Sequence, residues 1–117
     1  MKEKILFVNS CVRGENESRT LALAKTALSR LDGDIEEIRL ADANLKPLDA
    51  AGLAKRAESA EKNDFSDPVY DCAKQFAACD TVVIAAPFWD YSFPAFLKIY
   101  IESLCVGGLT FLYGSDG

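Results

Sequence analysis

The chain has 117 residues, of which 50% are hydrophobic and 26% are charged, and its formal net charge is -5. This length and composition predict a single globular domain with a hydrophobic core, and the acidic charge without a basic stripe argues against a nucleic-acid or acidic-membrane ligand. No apolar run approaches the roughly 20 residues of a membrane span, and no signal-peptide cleavage site follows the charged amino terminus, so we expect a cytoplasmic protein without membrane contact.

The first forty residues predict a strand, a helix and a second strand. Lys4–Val8 is a short apolar run typical of a buried strand. Ser18 precedes apolar residues at helical spacing from Leu21 to Leu31, which makes it the candidate N-cap. Residues 35–40 then alternate apolar and charged side chains, which predicts a more exposed strand at a sheet edge.

Two helices are expected in the middle of the chain. An alanine-rich stretch predicts a helix over Ala50–Lys62 with a weak apolar face, and we expect no site on it. Asp67 followed by Pro68 is a favourable helix start, a cap and then a first-turn proline, for a helix over Val69–Ala78.

The last third predicts a strand, a helix and a final extended segment. Thr81–Ala86 is an almost uninterrupted apolar run without alternation, as expected of a parallel strand covered on both faces. The apolar period becomes helical between Phe96 and Leu104, and Leu109–Tyr113 (LTFLY) reads as a last extended piece after two glycines.

These elements predict an α/β fold with a parallel sheet. Right-handed crossovers give three strands the order 2-1-3, which leaves Thr81–Ala86 at an edge despite its interior composition. We therefore expect that C-terminal strands are missing from the 1–117 domain, or that another chain or Leu109–Tyr113 covers that flank.

The loop after the first strand has the features of an anion site. It lies at the carboxyl end of a strand and leads into a helix amino terminus, where backbone N–H groups point outward. Ser10, Ser18 and Thr20 add hydroxyl groups, and Arg19 adds a guanidinium. Plain helix capping without a ligand explains the same pattern, and both interpretations stay open.

The loop after the third strand is aromatic, with Phe88, Trp89, Tyr91 and Phe93 around Asp90. Ligands of open α/β sheets bind beyond the carboxyl ends of the strands, and an aromatic loop at that position suits a flat ligand. The alternative is that these side chains cover the end of the sheet as core. Because strands one and three are neighbours, a planar ring joined to one phosphate would fit both loops.

Other chemistries are excluded or weakened by the sequence. There is no histidine, which removes Ser-His and Cys-His catalysis and most zinc sites. The first loop matches neither GxGxxG nor GxxxxGK[ST]. Seven residues separate Cys11 from Arg19, where a low-molecular-weight tyrosine phosphatase would need five. The four cysteines are expected to be free thiols.

Three segments carry a resemblance to a known family. They are KILFVNS followed by SRT, then AAPFWDYSFPAFLKIYIESL, then GGLTFLYGSDG. At these residues the chain resembles the flavodoxin-like NAD(P)H-dependent oxidoreductases, the group of FMN-dependent azoreductases and quinone reductases. The middle segment is the most specific, because it combines a strand end, a proline, ring-contacting residues and a helix with a lysine, Lys98, in its first turns.

The resemblance implies a flavodoxin-like three-layer sandwich, FMN as cofactor, NADH or NADPH as co-substrate, a quinone, azo or similar acceptor, and a homodimer. It implies no catalytic side chain, because the flavin makes and breaks the bonds. The residues implied to bind the cofactor are Ser10, Ser18, Arg19 and Thr20 at the phosphate, and Pro87, Phe88, Trp89, Asp90 and Tyr91 at the isoalloxazine edge.

Two other classes of function remain open at this point. One is a flavin-free interaction module that uses its exposed third strand to pair with another chain. The other is a flavodoxin-like electron carrier, which would bind FMN but reduce no substrate itself.

Overall fold

A computed structural model describes residues 2–115; Met1 and the last two residues of the GGLTFLYGSDG segment lie outside it. The fold is α/β, with a parallel sheet in the predicted order β2-β1-β3. The strands are β1 (Glu3–Asn9), β2 (Gly33–Arg39) and β3 (Thr81–Ala85). The helices are α1 (Arg19–Leu28), α2 (Ala50–Lys62), α3 (Asp71–Ala78) and α4 (Ala95–Leu104), with 3₁₀ turns at Leu40–Asp42 and Pro68–Tyr70.

β1 forms the centre of two hydrophobic layers. Its side chains alternate between the faces of the sheet, so Ile5 and Phe7 pack against α1 while Leu6 and Val8 pack against α4. All four are fully buried. The continuous apolar run in β1 is thus explained by helices on both faces of the sheet.

The carboxyl ends of all three strands lie level with one another. Asn9 at the end of β1 is paired with Arg39 at the end of β2 and with Ala85 at the end of β3. The loops that follow β1 and β3 therefore leave the sheet side by side.

Three local predictions are confirmed. The Ser18 hydroxyl accepts a hydrogen bond from the Leu21 amide at 3.1 Å, which caps α1. The Asp67 carboxylate accepts from the Val69 amide at 2.8 Å at the start of the turn before α3. α2 has the predicted bounds and no buried residue.

Helix α2 is attached to the rest of the chain through polar contacts. Arg56 donates to the carbonyl oxygens of Glu102 and Cys105, at 2.7 and 3.0 Å, and so satisfies carbonyl groups at the C-terminal end of α4. Tyr70 donates its hydroxyl hydrogen to the Ser59 hydroxyl at 2.8 Å.

Three predictions are wrong. β3 is covered only in part: Val82 and Val83 pack against opposite hydrophobic layers but stay half-buried, and Ile84 is 48% exposed. β3 has a neighbouring strand on one side only, which leaves its outer flank open. α1 ends at Leu28, and Leu31 is exposed.

The third wrong prediction is that Leu109–Tyr113 forms an extended segment. It forms no strand and does not pair with β3. The chain turns at residues 108–110, and the Thr110 hydroxyl donates to the Leu104 carbonyl at 2.5 Å. Leu109 packs beside Val106 and Tyr70. A hydroxyl that bonds to the end of α4 thus outweighs the strand propensity of this segment.

All four cysteines are free thiols, as predicted. In residues 2–115 no helix has both the length and the apolar character needed to cross a bilayer.

Candidate functional site

The loops after β1 and β3 are joined directly where they leave the sheet. The Ser10 amide and the Ser10 hydroxyl both donate to the Ala85 carbonyl oxygen, at 3.0 and 2.5 Å. This double contact fixes the start of one loop against the start of the other. The two loops therefore form one continuous edge of the molecule.

The first loop ends in a helix amino terminus with unused donors. The Gly14 carbonyl accepts from the amides of Glu17 and Ser18, which closes the turn before α1. Ser18 caps the Leu21 amide, so the amides of Arg19 and Thr20 remain without a protein acceptor among residues 2–115. Unpaired N–H groups at a helix start attract anions.

Side chains add to these donors. Thr20 is half-buried and carries a hydroxyl group beside the free amides. Arg19 is exposed, and no acidic side chain of residues 2–115 lies within ion-pair distance of it. The exposed carboxylates of Glu15 and Glu17 lie in the same loop and would repel an anion. Two amides, one hydroxyl and one guanidinium match the acceptors of a phosphomonoester.

Ser10 is placed differently from the other predicted anion ligands. Its side chain is fully buried, and its hydroxyl hydrogen is committed to Ala85. In this arrangement Ser10 connects the two loops and presents no donor to a phosphate. Its role as a phosphate ligand stays a prediction.

The loop after β3 contains a tight turn. The amides of Trp89 and Ser92 each donate to the other residue's carbonyl oxygen at 2.8 Å. The two residues between them, Asp90 and Tyr91, have φ angles of 49° and 64°. Two consecutive positive φ angles are typical of a type I′ turn, whose preferred residues are Asn, Asp and Gly. Tyr91 is therefore held in a strained conformation.

The aromatic side chains of this turn project into solvent. Phe88 is 75% exposed, Tyr91 is 94% exposed and Trp89 is 40% exposed. Phe88 and Tyr91 contact each other edge to face, with ring centroids 6.1 Å apart. Such exposure disagrees with the interpretation that these residues cover the sheet end as core, and it favours a ligand-contacting surface.

The backbone of the turn also has free donors. The Trp89 amide is used within the turn, whereas the amides of Asp90 and Tyr91 donate to no acceptor in the described part of the chain. Pro87 is half-buried between β3 and the turn. The turn thus offers an aromatic surface next to two N–H groups that are free to donate.

Sequence reasoning missed a polar network beside the first loop. Asn9 is buried at the end of β1; its Nδ2 donates to Glu37 Oε2 at 3.1 Å and its Oδ1 accepts from the Cys11 amide at 2.9 Å. Lys25 Nζ lies 3.3 Å from Glu37 Oε1. Burial would raise the pKa of Glu37, but hydrogen bonds from Asn9 and Lys25 outweigh it and lower the pKa of this carboxyl below its usual range.

Two cavities lie away from these loops. One, of about 620 Å³, is lined by residues of α2, α4 and the segments around Leu45 and Tyr70. The other, of about 490 Å³, lies near the amino end of β1 and includes Cys79. Neither cavity is lined by a predicted site residue.

Known proteins share the fold of this chain. A family model described as a flavodoxin-like fold matches residues 3–117. The chain belongs to this flavodoxin-like family.

Among curated relatives of this flavodoxin-like chain, an FMN-dependent NADH:quinone oxidoreductase from Clostridium perfringens is 32% identical over 119 residues, covering 97% of the chain and 60% of the relative. FMN-dependent NADH:quinone oxidoreductase 2 from Clostridium acetobutylicum is 36% identical, covering 97% and 59%. The chain thus spans about three fifths of the length of these relatives.

The fold is also found in a solved structure. The crystal structure of an azoreductase from Bacillus anthracis str. Sterne superimposes with a TM-score of 0.75 at 25% identity, covering 98% of this chain and 61% of that one.

Proposed function

We propose that the chain binds FMN across the loops after β1 and β3 and contributes to an NAD(P)H-dependent oxidoreductase that reduces quinones, azo compounds or similar acceptors. The observation that carries the proposal is the direct contact of Ser10 with the Ala85 carbonyl, which places a helix amino terminus and an aromatic turn on one edge. Relatives named as FMN-dependent NADH:quinone oxidoreductases support the choice of ligand.

The phosphate is assigned to the start of α1. The free amides of Arg19 and Thr20 and the Thr20 hydroxyl supply hydrogen bonds, and the Arg19 guanidinium supplies charge. The dipole of α1 adds a partial positive charge at the same end. Ser18 keeps the helix start ordered by capping Leu21. A chain of net charge -5 needs this local concentration of donors to attract a dianion.

The isoalloxazine is assigned to the turn after β3. Phe88, Trp89 and Tyr91 supply aromatic surface that is exposed in the structure, and Pro87 shapes the base of the turn. Covering this surface with a planar ligand removes apolar area from water, at roughly 25 cal/mol per Å². Asp90 is assigned to the ring edge together with these residues, and this role stays a prediction.

FMN supplies hydride transfer between a nicotinamide and an acceptor, and the chain orients it. The amides of Asp90 and Tyr91 have no protein acceptor among residues 2–115. We assign to them the stabilisation of negative charge on the pyrimidine side of the ring. No side chain is needed as a general base.

The electron-carrier and interaction-module alternatives make different predictions for the purified protein. An interaction module would bind no flavin, whereas a carrier would bind FMN without oxidising NADH or NADPH. The homodimer and the cytoplasmic location also remain predictions; size-exclusion chromatography with light scattering tests the first.

A titration tests the proposed function. FMN added to the purified chain is expected to quench its fluorescence as the ring covers the aromatic turn, with riboflavin binding more weakly because it lacks the phosphate. NADH or NADPH with a quinone then tests turnover. Absence of FMN binding would refute the proposal.

A further inference from the structure

We propose that Asn9 is a positioning residue for the anion loop: Glu37 on β2 orients its side-chain amide, and the amide oxygen sets the first turn of the loop between β1 and α1. This inference rests on the proposed FMN site. Asn9 and Glu37 are assigned no contact with phosphate or ring, and they act through the loop backbone.

The contacts form a continuous chain from β2 to the loop. Glu37 Oε2 accepts from Asn9 Nδ2 at 3.1 Å, and Asn9 Oδ1 accepts from the Cys11 amide at 2.9 Å. Asn9 is 1% exposed, and its bond with the Cys11 amide is buried, so water does not compete for that bond. The bond with Glu37 is partly buried, because the Glu37 side chain is 35% exposed. Removing one partner would leave a buried polar group unsatisfied.

The charge on Glu37 selects one orientation of the Asn9 amide. An ionised carboxylate only accepts hydrogen bonds, so the NH₂ group of Asn9 must face it. The carbonyl oxygen of Asn9 must then face the Cys11 N–H. With the opposite orientation, two acceptors would meet at Glu37 and two donors at Cys11.

Lys25 keeps Glu37 in place. Its Nζ lies 3.3 Å from Glu37 Oε1, which connects α1 to the same carboxylate. The lowered pKa of Glu37 keeps this carboxyl ionised at neutral pH.

The network complements the contact made by Ser10. Asn9 connects the end of β1 to β2, and Ser10 connects the next residue to β3 through Ala85. The anion loop thus starts from a point fixed on both sides. A ligand site held this way pays less ordering entropy when the phosphate binds.

The first experiment compares Glu37→Ala with a matched control, Glu36→Ala, in the same strand. Glu36 accepts from Gln75 and takes no part in the network, and both substitutions remove one carboxylate from β2. If only the negative charge of the carboxylate mattered, both variants would bind FMN as tightly as the wild type or more tightly. Positioning predicts that only Glu37→Ala weakens FMN, by about tenfold, with a smaller loss for riboflavin.

A second readout needs no flavin. Amide hydrogen exchange, followed by NMR on the labelled chain, reports the bond from Cys11 to Asn9 directly. Glu37→Ala is expected to speed exchange at Cys11 by about tenfold, whereas Glu36→Ala leaves it unchanged.

An exchange of the two functional groups tests the orientation argument. Asn9→Asp alone places two carboxylates together and is expected to weaken FMN binding and Cys11 protection. Adding Glu37→Gln supplies an NH₂ donor to the new carboxylate at position 9, and the second oxygen of that carboxylate accepts from the Cys11 amide. The double variant is therefore expected to recover most of the FMN affinity and most of the Cys11 protection. A double variant no better than Asn9→Asp would overturn the proposal.

The outcomes separate the two claims. A protected Cys11 amide that responds to Glu37→Ala but not to Glu36→Ala, in a chain that binds no FMN, would support the network and refute the proposed function. The opposite result would overturn the positioning role alone. In that case the chain binds FMN, but Glu37→Ala changes neither the exchange rate of the Cys11 amide nor the preference for FMN over riboflavin. If Asn9→Asp does not fold, the Glu37→Ala comparison decides the matter.

Discussion

The double substitution Arg19→Ala and Thr20→Ala tests the assignment of the phosphate to the start of α1. It removes the exposed guanidinium and the half-buried hydroxyl, while the backbone amides of both residues remain. Alanine favours helix, and Ser18 still caps the Leu21 amide, so the fold is expected to be retained.

The size of the effect follows from the surroundings of each group. An exposed charge such as Arg19 contributes about 0.5–1 kcal/mol. The Thr20 hydroxyl, bonded to a charged phosphate, contributes about 1.5–3 kcal/mol. Together these give roughly 2–4 kcal/mol, so the Kd for FMN is expected to rise about 30- to 700-fold. Riboflavin, which has no phosphate, should bind with nearly unchanged Kd.

A matched control lies at the far end of α1, with Thr26 in its last turn and Arg30 just beyond it. Thr26→Ala with Arg30→Ala removes the same two types of side chain, and the Thr26 hydroxyl donates to the Ala22 carbonyl within α1. Fluorescence titrations of wild type, test and control variants with both flavins complete the assay. Equal losses of FMN and riboflavin in the test variant, or an equal loss of FMN in the control, would refute the phosphate assignment.

Three further predictions concern the two loops. Trp89→Ala should lower the affinity for FMN and riboflavin alike with little change in the thermal midpoint, because Trp89 is 40% exposed; a collapsed, insoluble variant would favour a core role instead. Ser10→Ala removes the hydroxyl bond to the Ala85 carbonyl and leaves the amide bond. It should lower the free energy of unfolding in urea by about 1 kcal/mol and weaken the binding of both flavins; weaker binding of FMN alone would make Ser10 a phosphate ligand. Tyr91→Gly should keep or raise stability, since φ is 64° there, whereas Tyr91→Val should lower it by about 1 kcal/mol; the reverse order would contradict the strained turn.

Local signals in the sequence were sufficient for much of the fold. Ser18 before an apolar helical period predicted its cap, and the bounds of α2 over Ala50–Lys62 were predicted correctly. The strand order followed from the handedness of crossovers, which is a general constraint on chain geometry.

Long-range contacts account for what the sequence did not reveal. The bond between Asn9 and Glu37 joins residues 28 positions apart and depends on the register of β1 against β2. The burial of Ser10 likewise depends on β3, 75 positions later. A hydroxyl near a helix start looks the same in the sequence whether it faces a ligand or a neighbouring strand.

Composition was misleading where the surroundings of a segment decide its conformation. The apolar run in β3 predicted burial on both faces, but exposure is set by the neighbours a strand has, and Ile84 remains 48% exposed. The Leu109–Tyr113 segment has strand propensity, yet Thr110 bonds back to the end of α4 and the chain turns.

An NMR titration of the ¹⁵N-labelled chain with FMN tests the central claim, that the two loops form one site, most directly. If FMN bridges the two loops, the Thr20 amide and the Trp89 indole N–H shift together and saturate with the same Kd. Shifts confined to one loop, or centred on the cavity lined by Lys55 and Arg56, would contradict it.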